Sequence, residues 1–415
     1  MGAPTGYSNI LSFEDARRVV EQYAASIGAE NHEFVGLHSA AGRILAEPVI
    51  ADRDLPPFRR STRDGFAVRA ADLEKLPAEL RVVGEIRAGE SPEKILGGIG
   101  RGQAVCIMTG APVPPGADAV VMVEFTCQSE NQVEIKKGAL AGENIVARGS
   151  EARQGGVLLD RGACLGEAAI ALAASCGRDH LNVYARPRVA VLTTGDEIVS
   201  VSDIPGPAQI RNSNSHSLAV QISSAGGEPV LLPIAPDEPR RLRELVEQGL
   251  KADLLLLTGG VSVGRYDLVE QVLAELGAEF FFTGALIQPG RPVVFGRVRG
   301  RYFFGLPGNP VSTMVTFELF VRPMLHALAG RSAIPLRFLH ARLKSEVSTR
   351  TGLKRFLPAM LSGEFEDSEV ELVSWQGSGD IAATARANCY MVIPPDRGRI
   401  DAGEWVAVMV RTSAI

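Results

Sequence analysis

The chain has 415 residues, of which 46% are hydrophobic and 22% charged, close to the globular average. That balance excludes a disordered, collagen-like or disulfide-stapled polypeptide, and at roughly 150 residues per domain it gives about three domains as the starting expectation. The net charge of −5 and a pI near 5.8 leave no global basic field for nucleic acid.

Residues 12–27 open the pattern as an amphipathic helix. Ser12 is placed to cap it, and Phe13, Ala16, Val20, Tyr23 and Ile27 recur at helical spacing before Gly28. From about 58 to 147, short β-rich runs (Leu80–Val83, Ala104–Met108, Ala119–Val123, Gln132–Ile135) alternate with Gly and Pro. A second helical stretch, Gly166–Cys176, follows, so the β-rich block reads as an insertion into a helical element. Between about 187 and 330 the rhythm becomes strand, helix, strand. Strands are expected at Val189–Thr193, Pro229–Ile234, Leu254–Thr258 and near Phe280 and Val293. Helices are expected at Ser213–Ala225, at Pro239–Leu250 with Asp237 as N-cap, at Asp267–Leu276 and from about Val311 to Leu328. Alternation of this kind implies βαβ crossovers and a doubly wound, mostly parallel sheet. Beyond Pro335 only short strands are expected, which fits a small β-barrel or sandwich.

Met1 to Asn9 show no basic stretch followed by an apolar core, so no secretory signal is expected. No apolar run approaches the roughly 20 residues that cross a bilayer. The cysteines, Cys106, Cys127, Cys164, Cys176 and Cys389, form no CxxC pair, and the histidines no HExxH, so a reducing cytoplasm fits and a His-based metal site does not.

In an open α/β sheet, ligands bind beyond the carboxyl ends of the strands. One such end carries Thr194-Gly195-Asp196-Glu197, and another Gly259-Gly260-Val261-Ser262-Val263-Gly264 with Asp267 just beyond. Glycines allow backbone N–H groups to approach an anion, but here they serve equally well as plain turns. Asp196, Glu197 and Asp267 at the same edge would repel a phosphate unless a cation such as Mg²⁺ lies between; helix capping is the alternative for Asp267. Gln288-Pro289-Gly290-Arg291-Pro292 offers one guanidinium on a stiff turn. Pro307-Gly308-Asn309-Pro310 leads into the long helix, with Asn309 as N-cap and Pro310 at the first helical position.

Taken together, Ser61-x-x-Asp64-Gly65-Phe66-Ala67, Met108-Thr109-Gly110-Ala111-Pro112-Val113-Pro114, Thr194-Gly195-Asp196-Glu197, Gly259-Gly260-Val261-Ser262-Val263-Gly264, Pro289-Gly290-x-Pro292 and Leu306-Pro307-Gly308-Asn309-Pro310-Val311-Ser312 resemble, in order, the MoeA family of molybdopterin molybdenumtransferases, relatives of the gephyrin E domain. The resemblance covers nearly the whole chain. It implies four domains: a discontinuous helical domain (1–52 and 148–186), a β-rich inserted domain (53–147), an α/β molybdopterin-binding domain (187–332) and a C-terminal β-barrel (333–415). It implies a cytoplasmic homodimer whose cleft combines the α/β domain of one subunit with the β-rich block of the other. It further implies insertion of molybdenum from molybdate into adenylyl-molybdopterin, with release of AMP and a divalent cation, Mg²⁺, and hand-over to molybdoenzymes or other cofactor-biosynthesis proteins. Neither membrane nor nucleic acid is an expected partner.

By the same resemblance Asp64, Thr109, Glu197 and Asp267 are the catalytic candidates, and Glu197, Asp267 and Asp237 the metal candidates. Gly195, Asp196, Gly259, Gly260, Ser262, Gly264, Arg291, Pro307, Gly308, Asn309, Pro310 and Ser378 are the substrate-binding candidates. The sequence departs from the family pattern in a few places. Gln288 and Arg291 stand where lysines flank Pro-Gly, in a chain with seven lysines and 36 arginines. Glu151 replaces an aspartate, and Gly352-Leu353, followed by Lys354 and Arg355, replaces Gly-Arg. Two rival readings stand beside it: a molybdopterin adenylyltransferase, which has a similar α/β domain but lacks the β-rich block and barrel, and a non-catalytic, peptide-binding scaffold of gephyrin E-domain type. The retained carboxylates favour catalysis over the scaffold.

Overall fold

The computed structural model describes residues 9–259 and 268–411. Its central sheet has six strands, in spatial order Glu228–Leu231, Arg188–Thr193, Leu254–Thr258, Arg301–Leu306, Val294–Val298 and Glu279–Phe282. The first four are parallel, and Val294–Val298 alone runs against them, paired antiparallel with both of its neighbours, so the sheet is mostly parallel, as expected. Its central strands are buried on both faces, and their alternation divides two cores. Val189, Val191, Leu254 and Leu256 face one side, and Ala190, Leu192, Leu255 and Leu257 the other. The second side is covered by the helices Pro239–Gly249 and Leu268–Glu275, through Leu242, Leu245, Val246, Val269, Val272 and Leu273.

The first side holds the helix Asn214–Ser224 and the long helical run after Asn309. That run is not one regular helix. It reads Pro310–Thr316, a π turn at Phe317–Val321, then Arg322–Leu328. Pro323 has no N–H to give to the carbonyl of Leu319, and the hydrogen-bond register shifts there. The N-terminal helix Phe13–Ala25, capped by Ser12 as expected, packs on this run: Phe13, Ala16 and Val20 are buried in the same core as Phe320, Met324 and Phe356.

The β-rich block forms its own six-stranded sheet, in which Gly65–Val68 lies between Ala119–Met122 and Gln103–Ile107. The chain on either side of the block pairs with itself: His32–Gly36 with His180–Tyr184, and Val49–Ile50 with Val157–Leu159. These short ladders, not expected from the sequence, close the insertion together with the helix Glu167–Ser175.

After Pro335 five strands close into a barrel, Lys354–Ser362 pairing on one side with Glu369–Leu372 and on the other with Cys389–Ile393. A short helix, Ile381–Arg386, capped by Asp380, corrects the expectation of strands alone. Its six residues are too few to show a helical period in the sequence. Among the described residues no helix is long and apolar enough to cross a membrane.

Candidate functional site

Three parallel strands deliver the loops of the site. The register sets Thr193 beside Thr258 and Thr258 beside Leu306, so Thr194-Gly195-Asp196-Glu197, Gly259 and Pro307-Gly308-Asn309 leave the sheet at one level. They enclose a cleft of about 340 Å³ lined by Thr194, Glu197, Asn214, Gly259, Pro307 and Asn309, among others. Two glycines make the close approaches possible. At Gly259, with φ of 90°, a β-carbon would lie 2.2 Å from the Thr194 carbonyl oxygen. At Gly195, with φ of 139°, it would lie 2.4 Å from Oε2 of Glu197, whose carboxylate folds back over its own loop.

A buried polar network fixes the floor. Asn214 Nδ2 donates to Thr258 Oγ1 at 3.0 Å and to the Gly308 carbonyl at 2.8 Å. The carbonyl can only accept, so the amide orientation is determined. Among the described residues Oδ1 is then left as an acceptor with no partner, on a side chain only 8% exposed in the cleft wall.

Asp196 and Asp237 have a different role. Asp196 Oδ1 accepts from the Asp237 N–H at 3.1 Å, and Asp237 Oδ1 accepts from Thr194 Oγ1 at 3.1 Å. They tie the Thr194 loop to the segment before Pro239–Gly249, and neither lines the cleft. The N-cap of that helix is Glu238, not Asp237 as the sequence suggested, because the Asp237 carboxylate is already engaged by Thr194. Gly260, Ser262, Gly264 and Asp267 lie outside the described residues. Among the described residues no three His, Cys, Asp or Glu side chains converge as a metal cage.

A second cleft of about 610 Å³ adjoins the first and shares Pro292, Pro307 and Asn309 with it. Arg291, Arg350, Arg355 and Ser378 line it, and Gln288 stands at its wall. None of the three guanidiniums has an ion-pair partner among the described residues, and burial holds the Arg355 pKa below its ordinary value. The loop carrying Arg291 is fixed twice. Ile287–Gln288 pairs in parallel with the barrel strand Lys354–Ser362, Gln288 beside Arg355, and Gly290 packs so closely on Thr316 that a β-carbon would lie 2.4 Å from its Cγ2. Strand alternation sends Lys354 the other way, to Glu14 and the Phe13 ring.

Asn309 sits at the N-cap position with Pro310 at the first helical position, but its side chain makes no cap bond. Instead Nδ2 donates to Ser378 Oγ at 2.8 Å, and the Val311 N–H donates to the Ser378 carbonyl at 3.0 Å. The helix start is therefore docked onto the barrel side.

Asp64 and Thr109 stand in the β-rich block and line neither cleft. Asp64 Oδ1 accepts from the Thr109 N–H at 2.6 Å and from Thr109 Oγ1 at 2.8 Å. Those bonds, the backbone one foremost, hold the exposed carboxyl below the usual aspartate pKa. The adjacent Gly65 lies so close to the Val121 carbonyl, 1.9 Å from a would-be β-carbon, that no other residue fits the turn.

Comparison with known proteins follows the same order along the chain. Residues 11–177 match the MoeA N-terminal region (domain I and II), 190–327 a probable molybdopterin binding domain, and 340–410 the MoeA C-terminal region (domain IV). A protein named molybdopterin molybdenumtransferase from Staphylococcus aureus (strain COL) is 33% identical over 384 residues, covering 91% of each chain. The chain belongs to the MoeA family. A second molybdopterin molybdenumtransferase, from Nostoc sp., is 34% identical over 97% of this chain and 94% of its own. The crystal structure of a molybdopterin biosynthesis MoeA protein from Pyrococcus horikosii is 33% identical, with a TM-score of 0.73 over 97% of this chain and 99% of that one. In this MoeA family member, sequence reasoning missed Asn214 and Arg350. Asn214 sits in Asn212-Ser213-Asn214-Ser215, which reads as an ordinary helix start, and Arg350 has no pattern to mark it.

Proposed function

We propose that this chain transfers molybdenum from molybdate to adenylyl-molybdopterin with release of AMP, as a cytoplasmic homodimer using a divalent cation such as Mg²⁺. The observation that carries this reading is the joined groove, with a carboxylate and orphan-acceptor half beside an arginine half. A nucleotide-linked pterin and a molybdate dianion need both halves, because two anions must meet without repelling each other. Mg²⁺ is usually held by one or two carboxylates plus substrate phosphate, so Glu197, with Asp267 of the family motif, suffices without a complete protein cage. When bound, the cation would neutralise phosphate charge as AMP leaves. Asn214 Oδ1 would accept an N–H from the substrate's heterocycle. Arg291, Arg350, Arg355 and the Ser378 hydroxyl would orient the oxyanion, the guanidiniums by paired N–H donors.

In this reading Asp64 and Thr109 act in the groove of a second copy of the chain, and the finished cofactor passes to molybdoenzymes. We also hold the division 1–52 with 148–186, 53–147, 187–332 and 333–415 as the domain scheme. Incubation of the purified chain with adenylyl-molybdopterin and molybdate is the direct test. AMP release is expected, falling by about two orders of magnitude in Glu197→Ala. Gln288→Lys is expected to lower the molybdate concentration needed for half-maximal rate by restoring a charge. Restoration of molybdoenzyme activity by Glu197→Ala and Asp267→Ala as fully as by wild type, in a host lacking the activity, would remove the assignment.

A further inference from the structure

A cleft of about 740 Å³ lies away from the groove, between the C-terminal end of the Phe13–Ala25 helix, the Tyr184 region and residues 323–335. Its walls are largely apolar, from alanines, Ile27 and Pro323, yet two guanidiniums, Arg161 and Arg331, line it. Neither has an ion-pair partner among the described residues. Among the described residues Arg331 Nε is buried with no acceptor, and Arg331 Nη1 meets His326 Nε2 at 3.4 Å. His326 is kept neutral, its pKa lowered to about 3, by burial first and then by Arg331 and Arg322. Arg161 lies over the Tyr184 ring, 5.3 Å from its centroid, and its Nε donates to the Tyr184 hydroxyl. Glu21, the one carboxylate in the lining among the described residues, is taken by Arg17 at 2.6 Å. Uncompensated positive charge therefore faces an apolar cleft on a protein whose net charge is −5.

A guanidinium without a counter-ion favours a bound anion and presents its donors in a fork suited to an oxyanion. The volume lies within the range of small-molecule sites. We propose that this cleft is a second ligand site, for a small organic anion that sets an oxyanion head on Arg161 and Arg331 and an aromatic body against the apolar wall.

Phenyl phosphate is a suitable probe, titrated calorimetrically into the full chain, with inorganic phosphate and phenol as comparators. Two variants report on the cleft. Arg161→Ala removes an exposed head contact, and Gly28→Trp fills the cleft at a position where a β-carbon meets no atom within 4 Å. Phenyl phosphate is expected to bind more tightly than either comparator, and each variant to weaken it by about tenfold or more. Absence of binding at millimolar probe, inorganic phosphate binding as tightly as phenyl phosphate, or either variant binding like wild type would overturn the proposal.

Discussion

At the scale of single residues, the site depends on which polar atoms are already satisfied. Asn214 is the clearest case, because its two donated bonds join the ends of two neighbouring strands, at Thr258 and Gly308. Asn214→Asp exchanges that donor for an acceptor facing a carbonyl and is expected to lower stability by about 1–3 kcal/mol, read from urea unfolding. An unchanged midpoint would mean that the amide does not hold the strand ends together. Asp64 is the second case. Its folded pKa is depressed, so its stabilising contribution is present above the ordinary aspartate pKa and fades as pH falls through the folded value. Thr109→Val removes the hydroxyl bond and leaves the stronger backbone one. A carboxyl NMR titration should then place Asp64 higher than in wild type but still below an unperturbed aspartate, so that the contribution is lost at a higher pH.

At the scale of elements, the groove exists because a loop of the α/β part is tied to a strand of the barrel. The ladder Ile287–Gln288 with Lys354–Ser362 sets Arg355 beside the Arg291 loop, and Gly290 seats that loop on Thr316. Gly290→Ala forces a β-carbon into Thr316 at φ of 106° and is expected to cost about 1–3 kcal/mol. Because the strain falls on the loop bearing Arg291, molybdate-dependent AMP release should fall with it, while Gly28→Ala, in open space, should change neither quantity. The periodicity of the sequence revealed the strands Arg188–Thr193 and Leu254–Thr258 and the helix Phe13–Ala25, because each buries a repeating face. The strand Arg301–Leu306 went unrecognised: its residues show no alternation, and it is bordered by glycine-rich loops. Asp237 is not the N-cap, and Asn309 holds the N-cap position without a cap bond, for a related reason. Local rules favour capping, but each side chain found a partner distant in sequence, Ser378 or Thr194.

At the scale of the molecule, Asp64 and Thr109 stand apart from both halves of the groove in one chain, although the proposed reaction groups them with Glu197. A two-fold dimer resolves that separation if each site takes Asp64 from one subunit and Glu197 from the other. Co-expression of Asp64→Ala with Glu197→Ala chains then gives mixed dimers in which one site is intact and the other carries both changes. With random pairing, activity should return to about a quarter of wild type, although each variant alone is inactive. No recovery, with mixed dimers demonstrated by tag pull-down, would place both residues in the same subunit's site.

The fold class, the family and the chemistry of most loops are legible in the amino-acid order alone, since they are written in hydrophobic period and in short runs such as Thr194-Gly195-Asp196-Glu197. It also marked Gln288 as a departure, which the structure places at the wall of the arginine cleft. Which polar groups are left without a partner depends on packing in three dimensions. Asn214 Oδ1 is free because Gly308 and Thr258 occupy the other end of its amide, and Arg355 faces the groove because Gln288 pairs beside it. A hydrogen bond between residues far apart in the chain leaves no periodic trace in the sequence, and it is such bonds that set which donors and acceptors the groove presents.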